Sequence, residues 1–139
     1  MDDHKTPRER LVIFDWNVNC RGPKVLDHVS AFAPDVITLQ EVTLANADAY
    51  REEFARMGFQ AFCYSGRPKE PDKRYGNVIA SRWPLKQDAS TSDGPLWPQL
   101  IAEATVLTPF GPVEVITAHI PNGSGNGWWA LFRNPDQLV

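Results

Sequence analysis

Apolar positions in the first half of the chain alternate between strand-like runs and helix-like spacing. Residues 11–16 form a nearly continuous apolar run with β-branched side chains, which is typical of a strand buried on both faces. Residues 36–40 are predicted as the next strand. Between them, apolar residues recur at helical spacing up to residue 33, after Pro23, which suits a first helical turn, and before Pro34, which ends the helix. The order predicts a parallel βαβ unit.

The second half of the chain is predicted to be rich in hairpins. A helix over residues 45–57, with Gly58 as its C′ residue, leads into it. Further strands are predicted over residues 59–64, 77–81, 100–107 and 113–120, with a hairpin turn at residues 108–112. The element order β-α-β-α-β-β-β-β predicts an α/β chain of mixed, partly α+β character. No Gly-rich dinucleotide loop follows the first strand, which disfavours a nucleotide cofactor.

Length and charge restrict the class of protein. A chain of 139 residues predicts one domain, and residues 1–9, which are charged, are predicted to be a flexible leader. The net charge of −3 argues against a basic nucleic-acid coat, although it leaves room for an enzyme that meets phosphate through a metal ion. No apolar stretch is long enough to span a membrane, and the polar start does not resemble a secretory signal, so we expect a cytoplasmic protein.

Two polar residues are predicted to meet at one edge of the sheet. Asn17 and Glu41 each stand just past a predicted parallel strand, and the carboxyl ends of parallel strands share the edge at which ligands bind. A carboxylate and a carboxamide oxygen suit Mg²⁺, which is typically held by one or two carboxylates, water and substrate phosphate. Structural alternatives remain, because Glu41 could cap the following helix and Asn17 could hold a turn.

A third element is the end of the last predicted strand. His119 lies there, close to Asn122 and the glycine-rich residues 123–127. The imidazole could contact a phosphate oxygen or protonate a leaving group, and Asn122 could donate to the phosphate. The alternative is an ordinary histidine beside a flexible turn.

Four segments, in this order, resemble the endonuclease/exonuclease/phosphatase superfamily. They are FDWNVN (14–19), DVITLQEV (35–42), GNVIASRWPL (76–85) and VITAHIPNG (115–123). Members of that superfamily include deoxyribonuclease-I-like nucleases, abasic-site endonucleases, inositol-phosphate phosphatases and sphingomyelinases. The resemblance implies a four-layer α/β sandwich and in-line attack of water on a phosphoester, with Mg²⁺ or Mn²⁺ as cofactor and nucleic acid among the candidate substrates.

The resemblance also implies roles for individual residues. Glu41 and Asn17 would be metal-site residues. His119 and Asn122 would be catalytic residues, with His119 at the position of a catalytic His or Tyr and Asn122 at that of a substrate-side Asn.

The family's later Gly-Asp-x-Asn and Ser-Asp-His motifs do not occur in these 139 residues. We therefore expect an incomplete sandwich, in which residues 10–127 form the N-terminal part of the domain and residues 128–139 an atypical tail, either truncated or out of frame. A short helix of an unusual subfamily is the alternative for the tail. Hydrolysis by this chain alone is expected to be very low. Two other hypotheses are a non-catalytic fragment and an interaction module that completes its sheet with a partner or self-associates through an exposed sheet face.

Overall fold

Two β-sheets and one α-helix are formed by residues 10–70, 73–87 and 98–120, which are the residues that the computed structural model describes. The strands are β1 (Ile13–Asn17), β2 (Val36–Thr43), β3 (Ala61–Tyr64), β4 (Tyr75–Ser81), β5 (Leu85–Lys86), β6 (Ile101–Thr108) and β7 (Gly111–Ala118). The α-helix is α1 (Ala47–Arg56), and short 3₁₀ segments cover Pro23–His28, Ser30–Phe32 and Pro98–Leu100.

The strands divide into a four-stranded and a three-stranded sheet. The first sheet has the order β1-β2-β4-β3, and the second has the order β5-β6-β7. β1 runs parallel to β2, as predicted, and every other pairing is antiparallel. The mixed α/β class and the incomplete sandwich are thereby confirmed.

Each face of the first sheet has its own apolar core. One face packs against α1 and the first 3₁₀ segment through a cluster that includes Leu26, Leu39 and Phe54, all almost completely buried. The other face packs against the second sheet through Val36, Ile79 and their neighbours. On the outer face of the second sheet, Leu107 and Ile116 are exposed. The described residues therefore form three layers: helical segments, first sheet and second sheet.

The prediction for the first strand was partly wrong. β1 begins at Ile13 and alternates between exposed and half-buried residues, whereas a strand buried on both faces was expected. The reason is that only one face of β1 is covered: Phe14 and Trp16 pack against the first core, whereas Ile13 and Asp15 on the other face line an open cleft.

The predicted helix between the first two strands is also different. Two 3₁₀ segments stand in place of an α-helix. Leu26 and Val29 are the buried residues of this region, and their three-residue spacing is the repeat of a 3₁₀ helix. Ala33, in the left-handed conformation at φ 46°, ends the second segment directly before Pro34.

Other elements lie within a few residues of their predicted bounds, and β5 was not predicted as a separate strand. The predicted leader at residues 1–9, Asn122, the glycine-rich residues 123–127 and the predicted tail at residues 128–139 lie outside the described residues. Within the described part of the chain, no helix is both long and apolar enough to cross a membrane.

Candidate active site

Glu41 lies at a β-bulge inside β2. The pairing of β2 with β4 shifts register between Leu39 and Val42, and Glu41 has a left-handed backbone at φ 57°. The sequence placed Glu41 just past the strand end, and this was wrong, because the bulge lets β2 continue to Thr43. A left-handed glutamate is strained, and strained residues at bulges cluster at functional sites.

Asn17 is the last residue of β1 and contacts Glu41 directly. Its Nδ2 donates to Glu41 Oε1 at 3.0 Å, while its Oδ1 accepts from the backbone N–H of Asn19 at 2.9 Å. The predicted convergence of these two residues is therefore observed. The amide hydrogens of Asn17 face the carboxylate and the amide oxygen faces the loop, an orientation that suits holding Glu41 in place.

The loop after β1 is shaped by two left-handed residues, Asn19 (φ 50°) and Cys20 (φ 61°). Its backbone is tied to the β2 bulge because Cys20 N donates to Glu41 O at 3.1 Å. From the other side, the Tyr50 hydroxyl on α1 donates to the Arg21 carbonyl at 2.7 Å. The Cys20 thiol lies 4.0 Å from Glu41 Oε2.

His119 follows β7 and reaches the same carboxylate from the second sheet. Its Nε2 lies 3.6 Å from Glu41 Oε1, and the two side chains are 14% and 19% exposed. The structure thus brings together Asn17, Glu41 and His119, three of the four residues predicted from the sequence.

Tyr75, the first residue of β4, is a site residue that the sequence did not reveal. Its ring meets the His119 ring edge-to-face, with centroids 5.7 Å apart. Burial raises the pKa of the Tyr75 hydroxyl, and the nearby Glu41 carboxylate and Cys20 thiol raise it further. The phenol is therefore neutral near pH 7 and keeps its proton for donation. Finding it from the sequence would require the antiparallel register of β2 and β4.

The donor set fits a weakly held hard cation. Among the described residues, no group of three or more His, Cys, Asp or Glu side chains is arranged to hold a metal ion. In Glu41, Oε1 accepts from Asn17 at 3.0 Å, and Oε2 lies 4.0 Å from the Cys20 thiol. Mg²⁺ accepts such a site, because it retains several water ligands and relies on one or two carboxylates plus substrate phosphate.

A family profile decides the classification of the chain. The profile of the endonuclease/exonuclease/phosphatase family matches residues 16–137, which includes most of the segment after residue 127. The chain belongs to the endonuclease/exonuclease/phosphatase family. The boundary at residue 127 stays a prediction.

Solved structures agree with the family on the fold. The chain is similar to an endonuclease/exonuclease/phosphatase from Beutenbergia cavernae DSM 12333, with a TM-score of 0.62, 20% identity, and coverage of 83% of this chain and 39% of that one. It is also similar to an AP endonuclease from Archaeoglobus fulgidus, with a TM-score of 0.62, 19% identity, and coverage of 93% and 49%. The chain therefore spans less than half the length of these two proteins. No curated protein matches it in a sequence comparison.

The arrangement places a carboxylate, a carboxamide and an imidazole next to one another. Glu41 can bind a cation, Asn17 can orient Glu41, and His119 presents an imidazole nitrogen at the same place. Activation of a water nucleophile requires a further base.

Proposed function

We propose that this chain provides the metal-binding side of a divalent-metal-dependent phosphoester hydrolase, most simply a nuclease-like phosphodiesterase. The observation that carries the proposal is the convergence of Asn17 on β1, Glu41 on β2 and His119 directly after β7. Family membership supports the reaction class. The substrate would be a phosphoester, with nucleic acid as the leading class.

Each residue would have a separate task. Glu41 would bind Mg²⁺ or Mn²⁺ through its carboxylate, and Asn17 would hold that carboxylate or add its own oxygen as a ligand. When bound, the cation would stabilise negative charge on the phosphate in the transition state. His119 would donate to a phosphate oxygen or protonate the leaving group. Asn122, which lies outside the described residues, would donate to the phosphate.

We expect this chain alone to hydrolyse phosphodiesters very slowly. The described residues place one carboxylate, Glu41, beside His119, and no second carboxylate joins them to activate the water. Preorganised charge and proximity supply most of the rate of such enzymes. A partial site should therefore lose most of its turnover while it still binds the metal ion.

Metal binding is therefore the direct test. Titration of the purified chain with Mn²⁺, followed by electron paramagnetic resonance, should reveal one site that Mg²⁺ competes for. Glu41→Gln should abolish it, because the amide cannot carry the negative charge. Glu103→Gln is the matched control, since Glu103 is an exposed glutamate of β6, and it should leave binding unchanged. Equal Mn²⁺ affinity in wild type and Glu41→Gln would overturn the proposal.

The second experiment measures turnover. Hydrolysis of bis(p-nitrophenyl) phosphate in Mg²⁺ should be near the uncatalysed rate for both wild type and Glu41→Gln. Robust turnover that Glu41→Gln abolishes would contradict the expectation of low activity while supporting the metal site.

Exposed apolar residues favour an interaction module as the second candidate. Ile13 on β1 is 47% exposed and Ile116 on β7 is 61% exposed. Both line one open cleft of about 380 Å³ together with Val115 and Ala118, and contiguous exposed apolar surface can mark an interface. A second copy of the chain would be the occupant. Sedimentation velocity should then reveal a discrete dimer that Ile116→Lys dissociates, and a wild-type monomer at all concentrations would exclude this candidate.

The cytoplasm is the proposed compartment. Cys20 and Cys63 are free thiols in the described structure, which fits a reducing environment. Fractionation of cells that produce the tagged chain would test this, and recovery outside the cytoplasmic fraction would overturn it.

A further inference from the structure

Two buried carboxamides cross from the first sheet to the second at the end of the sandwich that holds the candidate site. Asn77 on β4 is fully buried, and Gln40 on β2 is 8% exposed. Asn77 Nδ2 donates to the Thr117 carbonyl at 3.1 Å, and Gln40 Nε2 donates to Thr117 Oγ1 at 2.7 Å. Thr117 on β7 is thus held twice, through its carbonyl and through its hydroxyl.

The same bonds extend to His119. Asn77 Nδ2 also donates to the Leu100 carbonyl at 2.8 Å, and the backbone N–H of His119 donates to that carbonyl at 2.8 Å. The side chain of Asn77 therefore contacts both backbone segments that determine where His119 leaves the sheet. Gln40 directly precedes Glu41. Its side chain therefore connects the backbone next to Glu41 with Thr117 of the second sheet.

The rest of the contact between the sheets is mostly apolar. Its buried members are Val36, Cys63, Ile79, Ala102, Ala104, Val106 and Val115. Apolar burial is non-directional and fixes the lateral position of one sheet over another only loosely, whereas hydrogen bonds are directional. We infer that Asn77 and Gln40 are positioning residues that hold His119 opposite Glu41. The consequence for catalysis rests on the proposed function, whereas the effect of Asn77 and Gln40 on the position of His119 does not.

One buried atom of Asn77 lowers the stability of the fold, which agrees with a positioning role. Its Oδ1 is buried and has no hydrogen-bond partner among the residues that the structure describes. The amide orientation is fixed, because a flipped amide would turn its oxygen towards two carbonyls. An unsatisfied buried acceptor lowers stability, so a leucine of similar size, which removes that acceptor, offsets part of the cost of losing the two bonds to the Leu100 and Thr117 carbonyls. The Asn77 carboxamide therefore matters more for the position of the second sheet over the first than for the free energy of unfolding.

The test replaces Asn77→Leu in the metal-free protein. Nuclear Overhauser contacts between the rings of Tyr75 and His119 report the position of His119. We expect Asn77→Leu to lose them while the protein stays folded. Ile79→Val is the matched control: residue 79 lies on the same strand and face and packs against the second sheet, so this variant loosens the packing without removing a hydrogen bond and should keep the contacts.

A second readout separates this inference from the metal proposal. In wild type, Mn²⁺ bound at Glu41 should broaden the ring resonances of His119. In Asn77→Leu, Mn²⁺ affinity should be retained, because Glu41 and Asn17 belong to the first sheet, and the broadening at His119 should be weaker than in wild type at the same Mn²⁺ occupancy. If wild type binds no Mn²⁺, the proposed function fails, and the metal-free ring contacts still decide the inference.

Thr117→Val covers the case in which Asn77→Leu does not fold. It removes the hydroxyl that Gln40 contacts and keeps the carbonyl that Asn77 contacts, so the Tyr75–His119 ring contacts should weaken. Unchanged ring contacts in every folded variant of this pair would overturn the inference.

Discussion

Replacing Glu41 by glycine or alanine tests whether the site is built on a strained backbone. Both substitutions remove every side-chain contact of Glu41, including those with Asn17 and His119. They differ in one respect: glycine adopts a φ of 57° without strain, and alanine does not. The comparison of the two variants therefore isolates the backbone from the side chain.

The expected difference follows from two opposing terms. A left-handed backbone costs an L-residue roughly 1–2 kcal/mol. Glycine loses about 0.5–1 kcal/mol relative to alanine through the larger entropy of its unfolded state. The Glu41→Gly variant should therefore be more stable than Glu41→Ala by about 0.75 kcal/mol, the difference between the mid-range values of these two terms. At Glu103, a regular exposed position of β6, the alanine variant should be more stable than the glycine variant.

Urea unfolding, followed by tryptophan fluorescence, measures this difference. With a slope of about 2 kcal/mol/M, the two Glu41 variants should differ in midpoint by roughly 0.3–0.5 M. The sign is the decisive quantity, since it must change between position 41 and position 103. Alanine more stable than glycine at both positions would refute the argument that Glu41 stores strain.

Two further predictions concern the fold around the site. Gly76→Ala should destabilise the protein by about 1–3 kcal/mol in urea unfolding, because its Cβ would lie 2.7 Å from a backbone Cα of the facing loop; Gly22→Ala, where a Cβ meets nothing within 4 Å, should leave stability unchanged or raise it. Burial raises the pKa of Tyr50 and of Tyr64 to about 12 each. The folded state favours the neutral phenols, so their contribution should be complete below pH 10 and lost as the pH rises through 12. A melting temperature that stays constant from pH 9 to pH 12 would contradict this.

The sequence predicted the fold correctly where local composition determines the element. The apolar run of β2, the helix over residues 45–57 with Gly58 after it, and the turn between β6 and β7 were all predicted within a few residues of their observed bounds. Errors arose where burial depends on distant neighbours. β1 is rich in apolar residues yet alternates in exposure, and no local pattern reports which face of a strand stays uncovered.

The site was readable only in part for a similar reason. The meeting of Asn17 with Glu41 follows from one parallel pairing, which the sequence predicted. Tyr75 and Asn77 depend instead on an antiparallel register and on the packing of one sheet over the other. Both are set by contacts between residues far apart in the chain, so a local pattern contains little information about them.

Two costly local features of the described chain occur at the same end of the sandwich. Glu41 holds a left-handed backbone, and Asn77 buries an acceptor without a partner. Neither is required to form the sheets, since glycine would relieve the first and an aliphatic residue the second. Sequences normally satisfy local and global preferences together, and departures concentrate where function imposes its own geometry. The left-handed backbone determines the position of Glu41, and Asn77 contacts the carbonyl that also accepts from the backbone N–H of His119. Both costs are therefore best explained by the need to hold a carboxylate and an imidazole next to each other.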